Sequence, residues 1–253
     1  MKPDGGRKTS RGFWEQSHGG KIRLRLPSLL NVGTRDILRL LSRRIRPGMS
    51  VLEIGFAPGK HLAYVAKNLG GRVHGVDYSE PGVVIAAQLF TALEINGELR
   101  CEDVFSVSFP QGSFDFVYSI GFVEHFEDAR PIVRLHLEMV KPGGKVMIAV
   151  PNYGGIYGHL QRWLDPDNLA IHNLGIMSVA GLQAALPEDL SAAAGASPAG
   201  CLSPWLLSLD RWLPYVPARL LSMGINAAGL MQPFEVGFAS PLLVLDVTRA
   251  PSS

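Results

Sequence analysis

The sequence is poor in cysteine and in charged residues, and it has no long uninterrupted hydrophobic run. Two cysteines, Cys101 and Cys201, in 253 residues exclude a disulfide-stapled scaffold. The glycines follow no three-residue period and the apolar residues follow no heptad, which excludes collagen-like and coiled-coil chains. Because 47% of the residues are hydrophobic and only 18% are charged, the composition is not that of a disordered chain. The length is ordinary for one α/β domain.

Neither a membrane span nor a secretory signal is apparent. The longest stretch without charge, Leu190 to Leu209, contains two prolines and two glycines, so it is a poor spanning helix. The segment from Met1 to Gly12 is polar and lacks the apolar core of a signal peptide. We therefore expect a soluble, cytoplasmic protein with reduced thiols and no membrane span, and we leave peripheral association with a membrane open.

The net charge of +2 hides an asymmetry along the chain. Residues 1–48 hold twelve Lys and Arg against three Asp and Glu, so this head carries +9 and the remainder −7. A basic head can contact nucleic acid, an anionic membrane or an acidic substrate. It can equally be a solvated tail followed by the polar face of one helix.

Short apolar strands alternate with helices between residues 50 and 150. The predicted strands are Ser50–Gly55, Arg72–Asp77, Leu99–Val104, Phe114–Ile120 and Lys145–Val150. The predicted helices are Leu29–Ile45, Pro58–Leu69, Glu80–Ile95 and Ala129–Val140. This alternation predicts a parallel, doubly wound α/β sheet with its ligand beyond the carboxyl ends of the strands. After Pro151 the alternation stops, and Pro241–Arg249 predicts a closing strand.

The turn after the first strand is rich in glycine. It departs from the dinucleotide pattern G-x-G-x-x-G, because Ala57 and Lys60 occupy the second and third glycine positions, and this disfavours an NAD-dependent oxidoreductase. It fits acidic-x-G-x-G-x-G, with Glu53, Gly55 and Gly59 in place and Ala57 replacing the middle glycine. Four further features follow in order: Asp77, Asp103, the run Ser119-Ile-Gly121-Phe-Val-Glu124-His125, and a Lys-Pro-Gly-Gly turn at 141–144.

These five features resemble class I S-adenosylmethionine-dependent methyltransferases over residues 45–150, in particular the small-molecule subgroup of ubiquinone and menaquinone biosynthesis. The resemblance implies a Rossmann-like, doubly wound, mostly parallel sheet with a helical substrate-cover insertion after the fifth strand. It divides the chain into a basic tail and possible cofactor lid (1–28), a cofactor-binding core (29–150), a helical substrate cover (151–234), and a closing strand with the C-terminal tail (235–253).

The resemblance implies S-adenosyl-L-methionine as cofactor and S-adenosyl-L-homocysteine as product. It places Asp77 on the ribose hydroxyls, where a carboxylate accepts two hydrogen bonds from a diol, and Asp103 near the adenine. The expected cofactor-binding residues are Glu53, Gly55, Phe56, Ala57, Gly59, Asp77, Tyr78, Asp103, Val104, Ser119, Gly121 and Trp14.

Methyl transfer needs the acceptor atom held in line with the methyl group, and it needs a base only for a weakly acidic acceptor. We expect His125, Tyr153 and His172 to be the catalytic residues, although each could instead serve packing. We expect no metal, because the seven histidines lack ligand spacing such as H-E-x-x-H.

Apolar and aromatic residues after position 151 are interpreted as lining of an acceptor pocket, or as the core of a helical subdomain. They are Trp163, Trp205, Trp212, Tyr215, Met223, Met231 and Phe234. Their chemistry favours a small hydrophobic or aromatic acceptor, of the quinone-precursor or secondary-metabolite type, methylated on O, N or C.

Two other functions stay open. A methyltransferase-like protein could bind the cofactor without turnover. A nucleic-acid methyltransferase is less favoured, since no Asn/Asp-Pro-Pro-aromatic motif follows the fourth strand, and no nucleic-acid partner is expected. The sequence leaves both a monomer and a dimer open.

Overall fold

The computed structural model describes residues 6–18, 23–188 and 192–251. The strands are β1 Ser50–Ile54, β2 Arg72–Asp77, β3 Gly97–Cys101, β4 Phe114–Ile120, β5 Val140–Pro151, β6 Ala192–Ala199 and β7 Leu242–Arg249. The helices are α1 Arg11–His18, α2 Val32–Arg44, α3 Lys60–Leu69, α4 Glu80–Ala92, α5 Arg130–Met139, α6 Ile156–Leu164, α7 Pro166–Ala170, α8 Val179–Ala184 and α9 Tyr215–Met231.

The strands form one seven-stranded sheet in the order β3-β2-β1-β4-β5-β7-β6. The first five strands in the chain pair in parallel, and β7 is antiparallel to both of its neighbours. The order reverses between β1 and β4, which creates a switch point where ligands bind in sheets of this kind. The prediction of a doubly wound, mostly parallel sheet is confirmed.

The central strands are apolar because both faces of the sheet are covered. Leu52 and Ile54 of β1 pack into a hydrophobic cluster on one face, and Val51 packs with Phe116 and Tyr118 of β4 on the other. Continuous burial replaces the alternating pattern of a half-exposed strand. This is why β1, β2 and β4 lie within one residue of their predicted bounds.

Three predicted elements need correction. The fifth strand begins at Val140 and not at Lys145, so the Lys-Pro-Gly-Gly segment at 141–144 lies within β5, where its register against β4 shifts. The helical prediction for 151–234 is wrong at β6, whose residues Ala192–Ala199 pair along the length of β7. Alanine, glycine and proline have low strand propensity, so this strand depends on the backbone partners that β7 offers. The third strand ends at Cys101 and not at Val104, since Asp103 caps a 3₁₀ turn there by accepting a hydrogen bond from the Phe105 amide at 2.9 Å.

No helix in the described ranges is long and apolar enough to cross a membrane.

Candidate functional site

The turn that follows β1 brings backbone close to the switch point. Gly55 has φ +74°, and a Cβ there would lie 2.4 Å from Cδ2 of Phe122. Gly59 has φ +84°, and its Cβ would lie 2.7 Å from that of Ala86 on α4. Both positions therefore require glycine for their left-handed backbone and for the close approach of a neighbouring group.

Glu53 lies beneath this turn and is buried. Its Oε2 accepts a hydrogen bond from the Tyr118 hydroxyl at 2.8 Å, and its Oε1 lies 3.8 Å from Nδ1 of His61. Burial raises the pKa of Glu53 despite these partners. Its role in this structure is to anchor β1 to β4 and α3.

Asp77 ends β2 and faces the space in front of the turn. Its Oδ2 accepts a hydrogen bond from the Ala57 amide at 3.1 Å, and its Oδ1 accepts one from the Ser79 amide at 2.8 Å. Burial raises the pKa of Asp77, and these backbone donors oppose that rise. The carboxylate is therefore fixed in orientation, with acceptor lone pairs remaining for a ligand hydroxyl.

A cavity opens at the carboxyl ends of β1, β2 and β4, with a volume of about 120 Å³. It is lined by Arg7, Thr9, Trp14, His18, Gly55, Ala57, Val76, Asp77, Tyr78, Glu102, Val104, Ile120, Gly121, Phe122, His125 and Phe126. Pockets that enclose drug-sized ligands measure roughly 300–1,000 Å³. The cavity is therefore smaller than a typical ligand pocket, and it shares Arg7, Thr9, Tyr78 and Glu102 with an adjoining surface groove.

The N-terminal segment forms the outer wall of the cavity. It runs antiparallel to residues 125–127, with the Lys8 amide donating to the His125 carbonyl at 2.7 Å. The Arg7 guanidinium pairs with Asp103 at 2.7 Å and lies 5.1 Å from the Tyr78 ring centroid. Trp14 meets the His125 ring edge to face at 4.9 Å. No residue of α1 is buried, so the hydrophobic core does not depend on this helix.

The structure brings together most of the predicted cofactor residues. Trp14, Gly55, Ala57, Asp77, Tyr78, Val104 and Gly121 line the cavity. Glu53, Phe56, Gly59, Asp103 and Ser119 do not. Glu53, Phe56 and Gly59 shape the turn from behind, whereas Asp103 faces a neighbouring surface groove together with Arg7.

Ser119 illustrates a motif residue that faces the protein interior. It is fully buried, and its hydroxyl hydrogen-bonds Nε2 of His136 at 2.9 Å. His136 donates from Nδ1 to the Ile132 carbonyl at 2.7 Å, and burial lowers its pKa to about 4. The pair ties β4 to α5.

Of the predicted catalytic residues, only His125 lines the cavity. Its ring lies 4.8 Å from that of His172, and His172 meets the Tyr153 ring at 5.6 Å. The Tyr153 hydroxyl accepts a hydrogen bond from Asn168 Nδ2 at 2.9 Å, and burial raises the pKa of Tyr153 to about 12. Tyr153 is therefore a neutral group that holds α7 in place, behind the cavity wall.

The sequence interpretation missed several lining residues. Phe122 and Phe126 lie on either side of Glu124 and His125, and this position next to a motif pair could have indicated them as lining residues. No sequence signal indicated Arg7 or His18, because the sequence does not show where the polar N-terminal segment contacts the rest of the chain. Glu124, the acidic residue of the same motif, is buried, and its Oε2 has no hydrogen-bond partner in the described part of the chain.

The aromatic residues of the cover region do not line this cavity. Trp163 is 86% exposed and Tyr215 73% exposed. The others are exposed as well: Trp205, Trp212, Met223, Met231 and Phe234. Their interpretation as pocket lining is wrong for this arrangement of the chain.

Comparison with known proteins matches the same segment that carries the motifs. Residues 51–144 match the family model described as "Methyltransferase domain". The chain is 34% identical over 103 residues to a 2-methyl-6-phytyl-1,4-hydroquinone methyltransferase of Synechocystis, which covers 41% of this chain and 32% of that protein. It is 31% identical over 129 residues to phosphoethanolamine N-methyltransferase 2 of Caenorhabditis elegans, covering 50% of this chain and 29% of that protein. The matched segment thus spans about a third of these relatives.

The fold extends further than the sequence match. A geranyl diphosphate C-methyltransferase from Streptomyces coelicolor, solved with S-adenosyl-L-homocysteine, superimposes with a TM-score of 0.56 at 17% identity, covering 85% of this chain and 77% of that one. At this identity the likeness concerns the fold. The sequence similarity to methyltransferases thus covers residues 51–144, and the fold over most of the chain is the Rossmann-like fold of class I methyltransferases.

Proposed function

We propose that this chain binds S-adenosylmethionine in the cavity at the ends of β1, β2 and β4 and transfers its methyl group to an O, N or C atom of a small hydrophobic or aromatic metabolite. The observation that carries the proposal is the convergence of Gly55, Asp77 and Gly121 on one cavity. The glycine turns let a ligand approach the backbone closely, which suits the charged tail of the cofactor. The fixed carboxylate can accept hydrogen bonds from the hydroxyls of its nucleoside.

The protein's part in such a reaction is positioning. The bound cofactor would supply a methyl group already activated on a positively charged sulfur. Asp77 would orient the ribose through its hydroxyls, and the turn at Gly55 would admit the tail against the backbone. Trp14, Phe122 and Phe126 would exclude water around the reacting atoms.

His125 is the residue we place nearest the acceptor. It lines the cavity, and its Nδ1 donates to the Ile171 carbonyl at 3.3 Å, which leaves Nε2 as an acceptor for a substrate hydroxyl or amine. The relatives named above are a hydroquinone and a phosphoethanolamine methyltransferase, which supports a small acceptor.

An acceptor screen tests the proposal. The chain is incubated with S-adenosylmethionine and hydroquinones, catechols, small amines or tRNA, and S-adenosylhomocysteine and methylated products are measured by mass spectrometry. We expect turnover with a small aromatic acceptor, loss of turnover in His125→Gln and normal turnover in His159→Gln, whose histidine is exposed on α6. Cofactor binding with no methylated product would favour the non-catalytic alternative, and methylated tRNA would redirect the assignment to nucleic acid.

A further inference from the structure

Three buried side chains, one carboxyl group and two imidazoles, meet beside the cavity. Glu124, His125 and His172 are each under 9% exposed, and one ligand atom from each lies within 4.8 Å of the other two. Glu124 and His125 follow β4, whereas His172 follows α7, so the cluster joins the core to the cover region. His172 lies 47 residues after His125 and 48 after Glu124, which is why no local metal-binding motif appears in the sequence.

The tautomers of both histidines are set by backbone carbonyls. His125 Nδ1 donates to the Ile171 carbonyl at 3.3 Å, and His172 Nδ1 donates to the Asn168 carbonyl. A carbonyl can only accept, so each Nδ1 carries the hydrogen and each Nε2 carries a lone pair. Metal-bound histidines are oriented in this way, with the second ring nitrogen bonded to a backbone carbonyl. Burial lowers the pKa of both histidines, that of His125 to about 4.

Glu124 supplies the third lone pair and the negative charge. It is 1% exposed, and although its own backbone N–H donates a hydrogen bond to the carboxyl group, Oε2 has no hydrogen-bond partner among the described residues. Burial raises the pKa of Glu124 to about 8. A buried carboxylate oxygen without a partner is costly, so this arrangement points to a ligand. A proton on Glu124 would allow a hydrogen bond to one neighbouring group, whereas a divalent cation would accept a lone pair from all three groups.

We propose that Glu124, His125 and His172 bind one divalent transition-metal ion of the zinc type. Two imidazoles and one carboxylate suit Zn²⁺, and three protein ligands leave at least one coordination position open. Because His125 also lines the cavity, the ion would lie beside the space proposed for the methyl acceptor, and while it is bound its open coordination position, in place of His125 Nε2, would face the acceptor. The site departs from the expectation of no metal. Metal binding does not depend on methyl transfer, so it can be tested without cofactor or acceptor.

The test is a binding measurement on the full chain after treatment with EDTA. Zn²⁺ content is measured by mass spectrometry after gel filtration, and Co²⁺ is titrated while visible d–d absorption is recorded. We expect one ion per chain in wild type, affinity at least about tenfold weaker in Glu124→Gln and His172→Gln, and wild-type binding in His159→Gln. Wild-type protein without stoichiometric Zn²⁺, or variants that bind as wild type does, would overturn the proposal.

Thermal unfolding separates a binding role from a purely structural one. Glu124→Gln keeps the shape of the side chain and replaces a carboxyl group that burial makes difficult to ionise. Metal-free Glu124→Gln should therefore unfold at the wild-type temperature or above it, and it should lose the upward shift that Zn²⁺ produces in wild type. A lower midpoint in the metal-free variant would contradict the proposal, because Oε2 of Glu124 would then have a stabilising partner within the protein.

Discussion

The Arg7 guanidinium donates a hydrogen bond to Asp103 Oδ1 at 2.7 Å, across 96 residues of sequence. This pair holds the N-terminal segment over the cavity. The guanidinium also makes cation–π contacts with the rings of Tyr78, Phe105 and Phe126. Asp103 is the residue that the family resemblance places near adenine. A bound nucleoside would therefore compete with Arg7 for this carboxylate, or enter after the segment has opened.

Weakening this pair should speed cofactor entry. A partly exposed ion pair is worth up to about 1 kcal/mol, so Arg7→Ala should raise the association rate of S-adenosylhomocysteine by about two- to fivefold. Stopped-flow fluorescence of Trp14 and its neighbours measures this rate. Arg11→Gln is the matched control, because Arg11 pairs with Glu15 within the same segment. An unchanged rate in Arg7→Ala would mean that the segment does not gate the cavity.

The turn at Gly55 should not tolerate a side chain. Gly55→Ala combines a left-handed backbone, which costs about 1–2 kcal/mol, with a clash against Phe122 that adds about 1–3 kcal/mol. Gly48→Ala separates the two effects, because Gly48 has φ +81° with open space around its Cβ position. Urea unfolding should show the larger loss in Gly55→Ala. Equal losses in the two variants would contradict the close approach of Phe122.

Acid should destabilise the fold through His136. Its pKa is about 4 in the folded protein, from an ordinary 6.5, so the unfolded chain binds the extra proton as the pH falls between these values. The free energy of unfolding should fall with pH across this window, by up to about 1.4 kcal/mol per pH unit for this group. His136→Gln should flatten the slope, whatever its effect on overall stability. If the slope of His136→Gln equalled that of wild type and of His159→Gln, the pKa of His136 would not be lowered in the folded protein.

The sequence identified the parts of the site that depend on local pattern. Continuous apolar runs predict β1 and β4. The turn between Glu53 and Gly59 is predicted by its glycines, which adopt a left-handed backbone conformation. β6 is not predicted from the sequence, because its alanines have low strand propensity and the strand is stabilised by pairing with β7. The place of Arg7 and the meeting of Glu124 with His172 depend on contacts between distant segments, which no local spacing encodes.

Binding of S-adenosylhomocysteine, measured by isothermal titration calorimetry, tests the central claim most directly. Asp77→Asn removes the charge that we assign to the ribose hydroxyls, and Asp210→Asn, an exposed carboxylate in a 3₁₀ turn, is the control. A hydrogen bond to a charged group is worth about 1.5–3 kcal/mol, so Kd should rise by about 10- to 150-fold in Asp77→Asn. The control should bind as wild type does. Absence of binding in wild type, or equal affinity in a folded Asp77→Asn variant, would contradict the assignment of this cavity to the cofactor.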